Sequence, residues 1–132
     1  SITVLGGFAG LAVGDPVHRH GIEYFAYEAT MPGIGEELGF RGVLLGCLIA
    51  GLARRDAPSA RRWLVIVVAA IPFAALHLLE RSGWQLAIMS GFTLYAGAAL
   101  GWARLSTGSL LTAVLAHNVA NVASGVIDNF LA

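Results

Sequence analysis

Apolar residues fill four long stretches of the chain, residues 34–53, 63–79, 85–103 and 109–131. Each is close to the roughly 20 residues (about 17–25) that a helix needs to cross the hydrocarbon core of a bilayer. The runs are too long for strands and lack a two-residue alternation, so they predict helices. A helix also satisfies its own backbone hydrogen bonds in lipid. The polar joints are short, at residues 54–62, 80–83 and 104–108, which predicts antiparallel neighbours in a bundle. Upstream, residues 1–14 are apolar without the basic start of a signal peptide, and read as the remnant of a further helix. Residues 15–33 mix His18, Arg19, His20, Glu23 and Glu28 with aromatics. They predict an interfacial amphipathic segment, broken from the next element by Pro32-Gly33. The expected fold is all-α: one domain over 1–132, a polytopic membrane helix bundle with at least four transmembrane helices. Its core is 33–131, preceded by the partial helix and the interfacial segment.

Composition sharpens this picture. The chain is 57% hydrophobic and 12% charged, about half the charge of an ordinary soluble domain at about 25%, so a lipid bilayer is its expected surrounding. Eight basic and eight acidic residues cancel, and no basic run interleaved with aromatics appears. No nucleic-acid partner is expected. The single cysteine, Cys47, has no partner in the chain and reads as a small apolar side chain. Gly35, Gly39, Gly42, Gly46 and Ala50 recur at three- and four-residue spacing, and Gly97 and Gly101 form a second such pair. Both stripes predict close helix–helix contact. Arg54, Arg55, Arg61, Arg62 and Arg104 fall on one side of alternating crossings, Arg19 and Arg81 on the other; the arginine-rich side is expected in the cytoplasm.

Against this apolar background, a few polar residues stand out. An ionisable side chain inside a membrane segment costs roughly 2.5–3.5 kcal/mol or more, so each is a functional-site hypothesis. In Glu36-Glu37-Leu38-Gly39-Phe40-Arg41, Glu37 and Arg41 are four apart on one helix face and can neutralise each other. Glu36 is rotated by about 100° and reads as a buried acid with no sequence-local partner. A carboxylate withdrawn from water is the better general base; the bland alternative is an acidic helix start. Phe73 and His77 share a face by the same spacing, as do His117 and Asn121. Donors aimed at one spot in a dry site can hold an oxyanion; the bland alternative is polar glue between helices. The match in depth between Asn121 and Glu36 requires the first helix to start before Glu36 or the last to be displaced.

Taken together, Glu-Glu-x-x-x-Arg, Phe-x-x-x-His and His-x-x-x-Asn on successive apolar segments resemble the CAAX prenyl-protease and bacteriocin-processing family of intramembrane proteases, also called CPBP or ABI. The resemblance covers about residues 33–131. It implies an intramembrane endopeptidase in which Glu36 and His77 activate a water and His117 and Asn121 hold the oxyanion. Glu37, Arg41 and Phe73 would support them. It implies a peptide or protein substrate, prenylated or a bacteriocin-type precursor, and a bacterial or archaeal cell membrane. No cofactor is required by this chemistry; two histidines and a glutamate leave zinc open, although the order is not His-Glu-x-x-His and Arg41 stands beside them. The arginine-rich loops put the Glu36 and His77 end away from the cytoplasm, whereas prenyl-protein processing needs a cytosolic opening: either the orientation is the reverse of the one read from the arginines or the substrate is not a prenylated protein. Two other classes fit part of the pattern: a non-catalytic scaffold or immunity protein on the same fold, and a haem held axially by His77 and His117.

Overall fold

The computed structural model describes residues 19–53, 58–78 and 83–131. The amino-terminal stretch 1–14, His18, Arg54, Arg55 and Arg81 lie outside the described residues. All described elements are helical: α1 (Ile22–Glu28), α2 (Met31–Glu37), a π-helical stretch (Leu38–Leu44), α3 (Leu45–Leu52), α4 (Ser59–Leu76), α5 (Gly83–Thr107) and α6 (Leu110–Leu131). α4, α5 and α6 are each long and apolar enough to span a membrane. Their outer surfaces carry exposed Leu64, Ile71, Leu111 and Val119. Helices that are apolar on every side belong in lipid.

The first expected span, 34–53, differs in two ways. It begins earlier, at Met31, because Pro32 occupies a first-turn position where its missing N–H costs nothing. Pro32-Gly33 therefore starts this helix instead of separating it from the chain before. The span is also not uniform: α2, the π stretch and α3 follow without a break, and Leu45 N–H bonds Phe40 O, five residues back. Such wide turns cluster at functional sites, and this one carries Arg41.

The apolar core gathers Leu45, Val65, Ile66 and Ala69, with Leu48, Ala98 and Leu105 against them. The second glycine pair does bring helices together. A Cβ on Gly97 would lie 3.0 Å from Ala70 Cβ and 3.1 Å from Phe73 Cδ1, and one on Gly101 3.1 Å from Ile66 Cγ2. The first stripe does not: Gly35, Gly39 and Gly46 have no atom within 4 Å of a Cβ position, and Gly42 makes only an ordinary 3.5 Å approach to Leu110. Glu37, Arg41 and Leu45 take the buried side of that helix, which turns most of the glycines outward. Gly97→Val is expected to force α4 and α5 apart and destabilise the protein by about 1–3 kcal/mol, read as a lower Tm in detergent. Gly46→Val, in open space, is expected to leave Tm unchanged.

α1 is short and packs on the far end of α6. A Cβ on Gly125 would meet Tyr24 and Phe25. His20 is tied at the same end: its N–H donates to Asn129 Oδ1 at 2.6 Å and its carbonyl accepts from Asn129 Nδ2 at 3.1 Å. The other end is closed by Asn118. Its Nδ2 donates to Ala29 O and Thr30 O, and its Oδ1 accepts the Gly33 N–H at 2.8 Å. That N–H belongs to the first turn of α2, which has no intrahelical acceptor for it. Asn118 thus fixes where α2 begins, and with it the depth of Glu36.

Candidate active site

Each polar residue is placed by its own helix, and four helices meet at one point. α2 starts at Met31, so Glu36 and Glu37 sit in its second turn. His77 caps the carboxyl end of α4, where its N–H bonds Ala74 O. Phe73 O lies in that last turn, whose carbonyls are short of intrahelical donors, and His77 Nδ1 reaches it at 2.8 Å. On α6, His117 and Asn121 both face inward, and both are buried. The early start of α2 meets the first of the two conditions set by the sequence and brings Glu36 Oε2 to 3.9 Å from His117 Nε2.

Glu37 is the hub. It is fully buried, and its Oε1 accepts from Arg41 Nη1 at 2.8 Å and from His117 Nδ1 at 2.8 Å. Arg41 continues outward: Nη2 donates to Gly97 O at 3.0 Å, and the guanidinium lies 4.2 Å from the Phe73 ring centroid. The Glu37–Arg41 pair thus exists, and it also ties α2 to α4, α5 and α6. Phe73 packs its ring against both histidines, at 4.6 Å from His77 and edge-on at 6.1 Å from His117.

Glu36 points to a different place. Its Oε2 lies 3.7 Å from His77 Nε2 and 3.9 Å from His117 Nε2, beyond a direct hydrogen bond, and has no partner within the chain. Its side chain is 30% exposed, so Glu36 is half-buried; the fully buried acid is Glu37. The ring nitrogens follow from the partners. A carbonyl oxygen only accepts, so His77 Nδ1 carries a proton; the Glu37 carboxylate makes the same demand on His117 Nδ1. In the neutral rings both Nε2 atoms then present lone pairs toward Glu36. His117 donates from Nε2 only when its ring is protonated, which narrows the donor role expected of it. Asn121, one turn further along α6, is fully buried, and neither its Nδ2 nor its Oδ1 has a partner.

Glu36 Oε2 lies within 4 Å of both Nε2 atoms, a carboxylate for which an axial histidine pair has no use. Among the described residues no group of three or more His, Cys, Asp or Glu is arranged to hold a metal ion. Two roles, those of Gly97 and Asn118, and one further buried group, Ser124, were not read from the sequence. Gly97 offers a backbone carbonyl, which carries no residue signature. Asn118 sits next to His117 but faces the α1–α2 joint. Ser124, seven residues after His117 on the same inward face, was accessible to helical periodicity and is fully buried.

Neither the comparison with curated proteins nor that with solved structures gives a match. A family model described as type II CAAX prenyl endopeptidase Rce1-like matches residues 20–123. The match runs from His20 to Ala123 and takes in Glu36, Glu37, Arg41, Phe73, His77, His117 and Asn121. On that match and with three membrane-length apolar helices, the chain belongs to the Rce1-like family of CAAX-type intramembrane proteases and is an integral membrane protein.

Proposed function

We propose that this protein hydrolyses peptide bonds at the membrane with a water activated by Glu36 and His77. The observation that carries this reading is the convergence of three acceptors, Glu36 Oε2 and the Nε2 atoms of His77 and His117, whose other ring nitrogens are already engaged. A water supplies the two O–H donors this cluster lacks. Glu36 takes one proton as the water oxygen bonds the peptide carbonyl carbon. The carbonyl electrons move onto oxygen, where Asn121 Nδ2 holds them, joined by His117 Nε2 when that ring carries a second proton. Glu37 serves as counter-ion to that ring. Collapse re-forms the carbonyl and breaks the C–N bond, and the proton held by Glu36 passes to the leaving amine. His77 Nε2 takes the water's second proton from the new carboxyl group and passes it to the same amine, so the products are a carboxylate and an ammonium group, and atoms and charge balance with these side chains alone.

The substrate is a peptide or protein segment presented from the bilayer, and its prenylated form follows the family description. Glu36 and His77 are the more exposed members of the centre, at 30% and 19%, against 1% for His117. They mark the side from which the segment enters.

The test is cleavage of a prenylated carboxyl-terminal peptide and its unprenylated twin by purified protein in detergent. His77→Ala is expected to slow cleavage about 10²-fold or more, the lower end for a positioned acid–base group. A chelator such as EDTA is expected to leave the rate unchanged. Equal rates for wild type and His77→Ala would sink the proposal, and chelator-sensitive cleavage would replace its metal-free form.

A further inference from the structure

Beyond the catalytic centre, one group of buried polar side chains has no role in the fold or in the proposed reaction. Ser124 is fully buried, and its Oγ has no partner within the chain. A helical serine or threonine ordinarily satisfies itself on the carbonyl three or four residues back. Thr30, Ser90, Thr93, Ser106 and Thr107 all do so here. Ser124 does not; its hydroxyl stays in the interior unused.

Glu28 on α1 is the second member. It is 4% exposed, its Oε2 has no partner, and none of the ion pairs among the described residues includes it. The register of α1 on α6 places it. Phe25 lies at Gly125, and the Ala29 and Thr30 carbonyls lie at Asn118. Glu28 therefore falls near the level of Asn121, about one helical turn from Ser124.

Buried polar groups are nearly always hydrogen-bonded, so orphans on two facing helices call for an explanation. A peptide drawn into an apolar site as an extended chain carries the opposite deficit, because its own N–H and C=O groups lose water and find no helix or sheet. We propose that Ser124 and Glu28 form a subsite that hydrogen-bonds the main chain of the extended substrate peptide. Ser124 Oγ donates to a carbonyl or accepts from an amide; the Glu28 carboxylate accepts from an amide. Seven residues separate His117 from Ser124, about 10 Å along the helix, or about three residues of extended chain. Glu28, near the level of Asn121, lies about two extended residues from the same point, so the subsite reads the substrate about two to three residues from the bond that breaks. It rests on the hydrolase reading above.

The experiment compares wild type, Ser124→Ala and Glu28→Leu in peptide cleavage and in thermal unfolding without peptide. Each substitution is expected to raise KM about three- to tenfold, the loss of one or two ordinary hydrogen bonds, with kcat within about twofold. Tm is expected to stay level or rise, since an unsatisfied buried group is removed. Peptides N-methylated one amide at a time identify the contact: the methyl that weakens binding to wild type is expected to have no further effect on the variant lacking its partner. An unchanged KM in both variants, with cleavage still dependent on Glu36, overturns the subsite alone. A Tm lowered by several degrees shows a structural role and overturns it as well. No Glu36-dependent cleavage in wild type overturns the hydrolase reading and the subsite together.

Discussion

Glu36→Gln is expected to reduce peptide cleavage by about 10²- to 10⁴-fold, the contribution of a positioned general base, while the protein stays folded. Glutamine keeps the size and one acceptor oxygen but cannot take a proton from water. The fold is expected to tolerate the change because Glu36 is half-buried and Oε2 makes no hydrogen bond within the chain. Nothing that holds α2 in place passes through it; that role belongs to Glu37 and Asn118. The measurement is kcat beside Tm for the purified variant. Cleavage at the wild-type rate would remove Glu36 from the mechanism. A large fall in Tm would show that the lost activity reports unfolding instead. Glu36→Asp sharpens the test: the carboxylate remains but is withdrawn by one methylene from both Nε2 atoms, and an intermediate rate is expected because the angle and distance of proton transfer are lost.

The candidate site was legible in the sequence to the extent that it is local. Glu37 and Arg41 stand four apart on one helix and form the pair their spacing allows. Phe73 and His77, and His117 and Asn121, share faces for the same reason. The helical class followed from run length, since nothing but helices crosses lipid as isolated segments. What the sequence withheld is register between helices. The contact of His117 with Glu37 joins residues 80 apart, and no periodicity predicts it. It is this contact that settles which nitrogen of His117 faces Glu36. The same holds for Asn118, whose clamp on Gly33 sets the depth of α2. Local signals also misled where two structures share them. Pro32-Gly33 fits a break and a first helical turn equally, and the Asn118 clamp decides for the turn. Gly35, Gly39 and Gly46 fit a packing face, but the charged pair claimed the opposite, inward side.

Breaking the Glu37–Arg41 pair from one side is expected to be the most damaging change to the fold. Glu37→Leu leaves the Arg41 guanidinium buried, with Gly97 O and the Phe73 and Phe40 rings around it, and leaves His117 Nδ1 unpaired. Removing one partner of a buried ion pair costs about 3–5 kcal/mol, a large part of the roughly 5–15 kcal/mol that holds a typical domain folded. Arg41→Met is expected to cost a similar amount, because it strands a fully buried carboxylate. The double variant Glu37→Leu/Arg41→Met separates the two contributions of the pair. With both charges gone, their desolvation penalty goes too, and such replacements are often neutral or stabilising. The double variant is therefore expected to recover most of the Tm lost by either single change. It is not expected to recover cleavage. Without the Glu37 carboxylate, the His117 ring loses both its orientation and its counter-ion, and its Nε2 no longer holds a proton toward the oxyanion. Recovery of Tm together with activity would show that the pair serves only the fold. Recovery of Tm alone identifies Glu37 as the residue through which the helix bundle positions its reacting groups.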